Sequence, residues 1–177
     1  MKKTLIPLIL VLPTLAMAQV AVTSAMHVST NYYLVTSKTV RAAFREATLK
    51  NPGKPSYAYT TINSHYTTEY ANNSWTPKSK TFYFSAVVTI PKFEGSFATN
   101  QYFKQFEKEL IIHEQKHVEI GKINFLKMVR DIGPVLEKSK EEAIRGKLNE
   151  EHRRLHAEVD TKDKVKFHTM YDQILSK

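Results

Sequence analysis

The chain has 177 residues, no cysteine and a formal charge of +9 at pH 7. Without cysteine, disulfide bracing and thiol catalysis are excluded, so stability must come from packing and from any bound metal. The length suits one domain with a real core, and the lysines, spread along the chain and concentrated only towards its C-terminus, read as a solvated helical face and not as a nucleic-acid surface.

Met1-Lys2-Lys3, the apolar run from Leu5 to Leu15 and Ala16-Met17-Ala18 follow the order of an export leader: a basic start, a short apolar middle, and small residues at −1 and −3 of a cleavage site. The run falls short of the roughly 20 residues that cross a bilayer, and Pro7 and Pro13 interrupt it. The sequence therefore predicts a signal peptide over 1–18 and a single domain over 19–177, periplasmic or secreted, with no stable membrane insertion after processing.

Val28 to Val35 is rich in β-formers, and from Thr39 to Leu49 the period becomes helical, with Val40, Ala43, Phe44 and Ala47 on one face. Asn51-Pro52-Gly53-Lys54-Pro55 is a turn cluster that ends this helix. Tyr57 to Tyr70 and Lys80 to Ile90 read as an antiparallel pair of strands, the second placing Phe82, Phe84, Ala86, Val88 and Ile90 on one side, with Pro91 closing it. A helix is expected from near Thr99 to Asp131, broken by Gly133-Pro134. A charged helix then runs back toward Val159, and Thr161 to Ile174 forms a third helical piece. The order predicts an α+β fold: a small antiparallel sheet packed against one long helix and the C-terminal helices.

Inside the long helix stands His113-Glu114-Gln115-Lys116-His117, an H-E-x-x-H motif. Residues four apart lie one turn apart on the same face, so both imidazoles can address one zinc ion at about 2.0–2.1 Å. Glu114 is rotated off that pair, placed to reach a metal-bound water as a general base. Phe106, Leu110, Ile120 and Met128 share the histidine face, which sets the ligands against the core, and Gly121, one turn after His117, leaves room beside the metal for a second element.

With these residues in view, the chain resembles a bacterial family of predicted secreted zinc-dependent proteases, a domain-of-unknown-function family with the H-E-x-x-H motif. The likeness extends through Tyr32-Tyr33-Leu34-Val35, the Thr39 to Leu49 helix, the Thr-rich stretch from Tyr57 to Tyr70, and Val87-Val88-Thr89-Ile90-Pro91. It implies a zincin-like fold, His113 and His117 as ligands and Glu114 as base. Tyr171-Asp172 matches the start of that family's C-terminal motif, although the His-Gly that follows it there is missing, and this makes Asp172 a candidate third ligand or an orienter of a histidine. Helix geometry offers a competitor: a reversal at Gly133-Pro134 sets Glu150, Glu151 and His152 opposite His113 to His117. Asp160, His156 and His168 fall outside both placements.

The sequence thus predicts an exported zinc-dependent hydrolase, a metallopeptidase acting on an extended polypeptide at the sheet edge, with no nucleic-acid partner. A non-enzymatic exported binding protein that keeps the fold and a structural metal is the alternative. Trp75 is expected as a loop anchor ahead of a substrate contact, His27 and His65 as exposed strand or pre-strand residues, and Tyr171 as a helix-packing residue ahead of an oxyanion donor. Mass spectrometry of the exported protein should find a chain beginning at Gln19. An intact Met1 in a membrane pellet would remove the leader from the account.

Overall fold

The computed structural model describes residues 20–50, 57–72 and 74–176, so the leader expected over 1–18 and the turn cluster over 51–55 lie outside the described residues. In chain order come β1 (Ala21–Val35), α1 (Val40–Lys50), β2 (Tyr59–Tyr70), β3 (Pro77–Phe93), a single 3₁₀ turn over Ser96–Thr99, α2 (Gln101–Ile132) and α3 (Lys138–Leu175). The fold is α+β, with a small sheet and three α-helices among the described residues.

The strands lie in the order β1-β3-β2. β2 and β3 pair antiparallel as expected, with Ile62 opposite Ala86. β1 pairs with β3 in parallel, Val28 opposite Ala86, so the sheet is mixed where the sequence predicted an antiparallel one. β3 carries the cleanest apolar alternation and takes the centre, where Phe82, Phe84, Ala86, Val88 and Ile90 are all buried. α1 returns the chain to the far side of that position, and the β2–β3 hairpin then lays β3 between the two edges.

Two expected boundaries are absent. β3 runs through Pro91 to Phe93 because β2 pairs only as far as Thr89, so no bond to β2 is lost at the proline, which faces Tyr33 of β1. α3 is continuous where a break near Val159 was expected. No proline or glycine stands there, and Thr161 folds its hydroxyl back onto the Ala157 carbonyl at 2.7 Å within the helix.

The core has two centres. One gathers Val35, Phe44, Phe93, Phe103 and Phe106 around α1, and Phe44 meets Phe106 edge-on at 5.1 Å. The other packs Phe125, Met128 and Ile132 of α2 on the β3 face. Leu110 belongs to the first and Val118 to the second, so the segment between them crosses the junction. Ile120, expected on the histidine face, is only half-buried. Gly121 leaves no room for a metal-side element, contrary to expectation, because the sheet fills it: a Cβ there would lie 2.8 Å from Ile62 Cδ1.

Lys80 of β3 is wholly buried. Its ammonium donates to the carbonyl of Ile132 at 3.1 Å and to that of Val135 at 2.5 Å, and forms an ion pair with Glu141. Tyr66 of β2 donates to the other carboxylate oxygen of Glu141 at 2.9 Å. A cation so placed satisfies carbonyls at the end of α2 and closes the turn into α3. Lys80→Ala strands a buried carboxylate and these carbonyls, and should cost about 3–5 kcal/mol in urea unfolding. A loss below about 1 kcal/mol would place the tie among ordinary surface pairs.

Candidate metal centre

His113 and His117 stand one turn apart on α2, at the junction of the two core clusters. α3 runs back antiparallel across them and brings up Asp160. His113 Nε2 lies 3.1 Å from His117 Nε2, His117 Nε2 lies 3.1 Å from Asp160 Oδ1, and His113 Nε2 lies 3.4 Å from the same oxygen. Donors about 2.0–2.1 Å from a tetrahedral zinc ion are separated by about 3.3 Å, so this triangle has the dimensions of one face of such a tetrahedron. His113, His117 and Asp160 form a group that could hold a metal ion. Two nitrogens and one oxygen are also a donor set suited to zinc, with a fourth position left over.

The other ring nitrogens are held from outside. His113 Nδ1 lies 3.0 Å from Asp163 Oδ2, which also accepts from Lys116 Nζ at 2.7 Å. Burial opposes the charge on Asp163, but the hydrogen bonds from Lys116 and His113 outweigh it and hold the carboxyl below its ordinary range. An ionised Asp163 accepts a hydrogen bond from Nδ1–H and so leaves the Nε2 lone pair of His113 for the triangle.

His117 Nδ1 lies 2.5 Å from His156 Nδ1, the two rings parallel within 2°, and His156 Nε2 lies 2.7 Å from His152 Nε2. Burial, and then the neighbouring His113, lower the pKa of His117. Burial, followed by His152 and His117, pushes His156 down to about 4, and burial lowers His152 too. At neutral pH these three rings are therefore uncharged, each with one N–H. In one of the two proton arrangements that satisfy these contacts, His117 donates from Nδ1 to His156 Nδ1 and His156 donates from Nε2 to His152 Nε2. That arrangement frees the Nε2 lone pair of His117.

Glu114 is 3 % exposed and lies outside the donor triangle. Thr60 of β2 donates from Oγ1 to Glu114 Oε2 at 2.6 Å and approaches the Glu114 backbone carbonyl at 3.3 Å, so strand and helix are joined at this carboxylate. Glu114, His113, His117 and Asp160 open on a cleft of about 1260 Å³ whose walls are Tyr57 to Thr60 on one side and α3 from His156 to Tyr171 on the other. β2 is an edge strand.

The structure brings together His113, His117 and Glu114, and it does not bring Asp172 to them. Asp172 is largely exposed, 3.9 Å from His168 Nε2 and a third of α3 beyond the cluster. Glu151 pairs with Lys127 at 2.8 Å, and Glu150 is exposed. The helix-reversal argument misplaced the register because α3 does not restart at Pro134 but at Lys138. The longer turn moves the facing position along α3, and Asp160 instead of Glu151 meets the two histidines. Asp160, Asp163, His156 and Thr60 were missed. The spacing His152-x-x-x-His156-x-x-x-Asp160-x-x-Asp163 keeps four metal-type residues on one helical face, and that was the available signal. Tyr171 packs on Phe44 as expected, at 4.9 Å, while Trp75 is 91 % exposed and meets only Tyr70 edge-on among the aromatic rings of the described residues.

Fold and site together define an α+β protein with a histidine–carboxylate group, suited to a metal ion, on two facing helices. Residues 30–166 match the model of the family described as bacterial protein of unknown function (DUF922), and the chain belongs to that family. The matched span includes His113, Glu114, His117, Asp160 and Asp163 and ends before Tyr171-Asp172. No curated protein and no solved structure matches the chain.

Elemental analysis of protein refilled with zinc should find about one ion per chain, lost in His113→Ala, His117→Ala and Asp160→Ala and kept in Asp172→Ala. Asp163→Asn should weaken zinc binding by about 10–100-fold. Zinc retained in Asp160→Ala but lost in Asp172→Ala would return the third ligand to the C-terminal position.

Proposed function

We propose that this protein is an exported zinc-dependent hydrolase, a metallopeptidase in which His113, His117 and Asp160 hold the ion and Glu114 is the general base. The observation that carries this reading is the buried Glu114 carboxylate, oriented by Thr60, beside a three-donor group at the floor of an open cleft. Zinc bound there would supply Lewis acidity, both to the carbonyl under attack and to the attacking water.

The rest of the work falls to the chain. Glu114 takes the proton of the water and can return it to the departing amine, and the Thr60 hydroxyl, donating to Oε2, orients the carboxylate for that exchange. Asp163 and His156 fix the imidazole protons, so the two Nε2 atoms need not reorganise during turnover. The outer edge of β2 offers backbone N–H and C=O groups to an extended peptide, which gives the polypeptide a way to lie across the floor of the cleft without sequence-specific contacts. The order of segments, the leader-like N-terminus and the H-E-x-x-H motif all support export and peptide hydrolysis over a sealed structural metal site.

Glu114→Gln separates catalysis from folding and metal binding. An amide of the same shape cannot take the proton, so turnover in a casein or peptide-library assay should fall by about 10²–10⁴-fold while zinc content is unchanged. Undiminished cleavage would remove Glu114 as the base, and loss of zinc would make it a ligand. A wild-type chain that binds zinc and cleaves nothing would leave a non-enzymatic binding protein.

A further inference from the structure

A second cavity, of about 490 Å³, lies beyond the far end of the cleft and shares Thr48, Tyr57 and Tyr171 with it. Its outer wall is α1, from which Arg41 and Arg45, one turn apart, line the space. Among the described residues no acidic side chain lines it. Both arginines are exposed, and neither has an ion pair or hydrogen bond among the described residues. Their neighbour Lys50, by contrast, is neutralised by Glu46 at 2.6 Å, and Glu46 is turned toward Ser37 and away from the cavity. The floor is apolar: Phe44 carries the rings of Tyr57 and Tyr171, each with its centroid 4.9 Å away. Two guanidiniums with no partner among the described residues, over an aromatic floor, suit a planar anion, for which arginine offers paired donors.

Position ties this cavity to the reaction. Thr60 marks the place of Glu114 on the edge strand, and Tyr57, at the saddle between the two cavities, precedes it by three residues. Tyr57, which lines the arginine cavity, therefore lies no more than about 10 Å from Thr60, since an extended residue spans about 3.3 Å. A peptide pairing antiparallel with β2, the slightly more stable pairing, runs toward its C-terminus in the direction of Tyr57. We propose that Arg41 and Arg45 form an anion subsite that takes a carboxylate of the peptide substrate, about three residues to the C-terminal side of the bond at Glu114. The proposal rests on the hydrolase reading for the placement of the substrate. The carboxylate comes either from an acidic side chain or from the end of the chain.

Three fluorescein-labelled alanine-rich pentapeptides distinguish these: one with a free C-terminal carboxylate, one with a C-terminal amide, and one amidated but carrying glutamate as its last residue. Anisotropy titration on zinc-loaded Glu114→Gln protein, which binds without turning over, should show one or both anionic peptides bound at least about fivefold more tightly than the neutral amide. The better of the two identifies the source of the carboxylate. The preference should vanish in Arg41→Ala/Arg45→Ala and persist in Lys138→Ala/Lys147→Ala, which removes the same charge from exposed positions of α3. Equal binding of all three peptides, no binding of any, a preference that survives loss of both arginines, or one lost equally in the lysine variant would each overturn the subsite. Absence of cleavage by the wild type, with the charge preference intact, would overturn the hydrolase reading and leave the subsite standing.

Discussion

The buried ammonium of Lys80 is the fixed point from which the site is laid out. A lysine without solvent is tolerable only because two carbonyls and the Glu141 carboxylate surround it. Those acceptors belong to the end of α2, to the turn and to the start of α3, while the lysine itself belongs to the central strand. One side chain therefore sets the sheet, the long helix and the returning helix against one another. Asp160 lies as far beyond Glu141 as His113 lies before Ile132, so two stiff arms leaving this tie return the third donor to the first.

Opposed to that rigid frame is the cost of the metal-type groups it gathers. Four imidazoles and two carboxylates on facing helices would repel, or lose solvation, without mutual hydrogen bonds. Here His117, His156 and His152 pair in sequence, burial lowers the pKa of all three, and His113 is held by an ionised Asp163 that also accepts from Lys116. No buried side-chain nitrogen or oxygen lacks a partner among the described residues. The arrangement that makes this face bearable in the fold is also the one that leaves two imidazole lone pairs and a carboxylate oxygen converging.

What was legible in the sequence follows from how local each signal is. H-E-x-x-H is written in one helix turn and gave His113, Glu114 and His117 directly, and the β3 alternation gave the buried face of the sheet. β1 begins seven residues before the expected start because its first residues are exposed and held by pairing to β3, so no burial pattern betrays them. Its parallel sense depends on where α1 delivers the chain, which no residue of β1 encodes. Asp160 escaped for a similar reason. Its partners are on another helix, and their meeting depends on the length of an irregular turn, a quantity that a Gly-Pro pair marks only by its beginning. Thr60 is one threonine in a threonine-rich strand, and only its proximity to Glu114 distinguishes it.

The unbroken course of α3 has a consequence for how such a chain can change. Leu148 in the core, His156, Asp160 and Asp163 are all carried on one rod whose near end is held by Glu141. Inserting or deleting a single residue between Glu141 and Asp160 would turn everything beyond it by about 100° and slide it by about 1.5 Å, carrying both carboxylates off the α2 face at once. Length variation is therefore costly within this stretch of helix and cheap past its last packed residue, Ile174, or in the exposed turn around Trp75. A helical segment with no loop in it thus behaves as a ruler whose length is a functional property, even where its individual residues face only water.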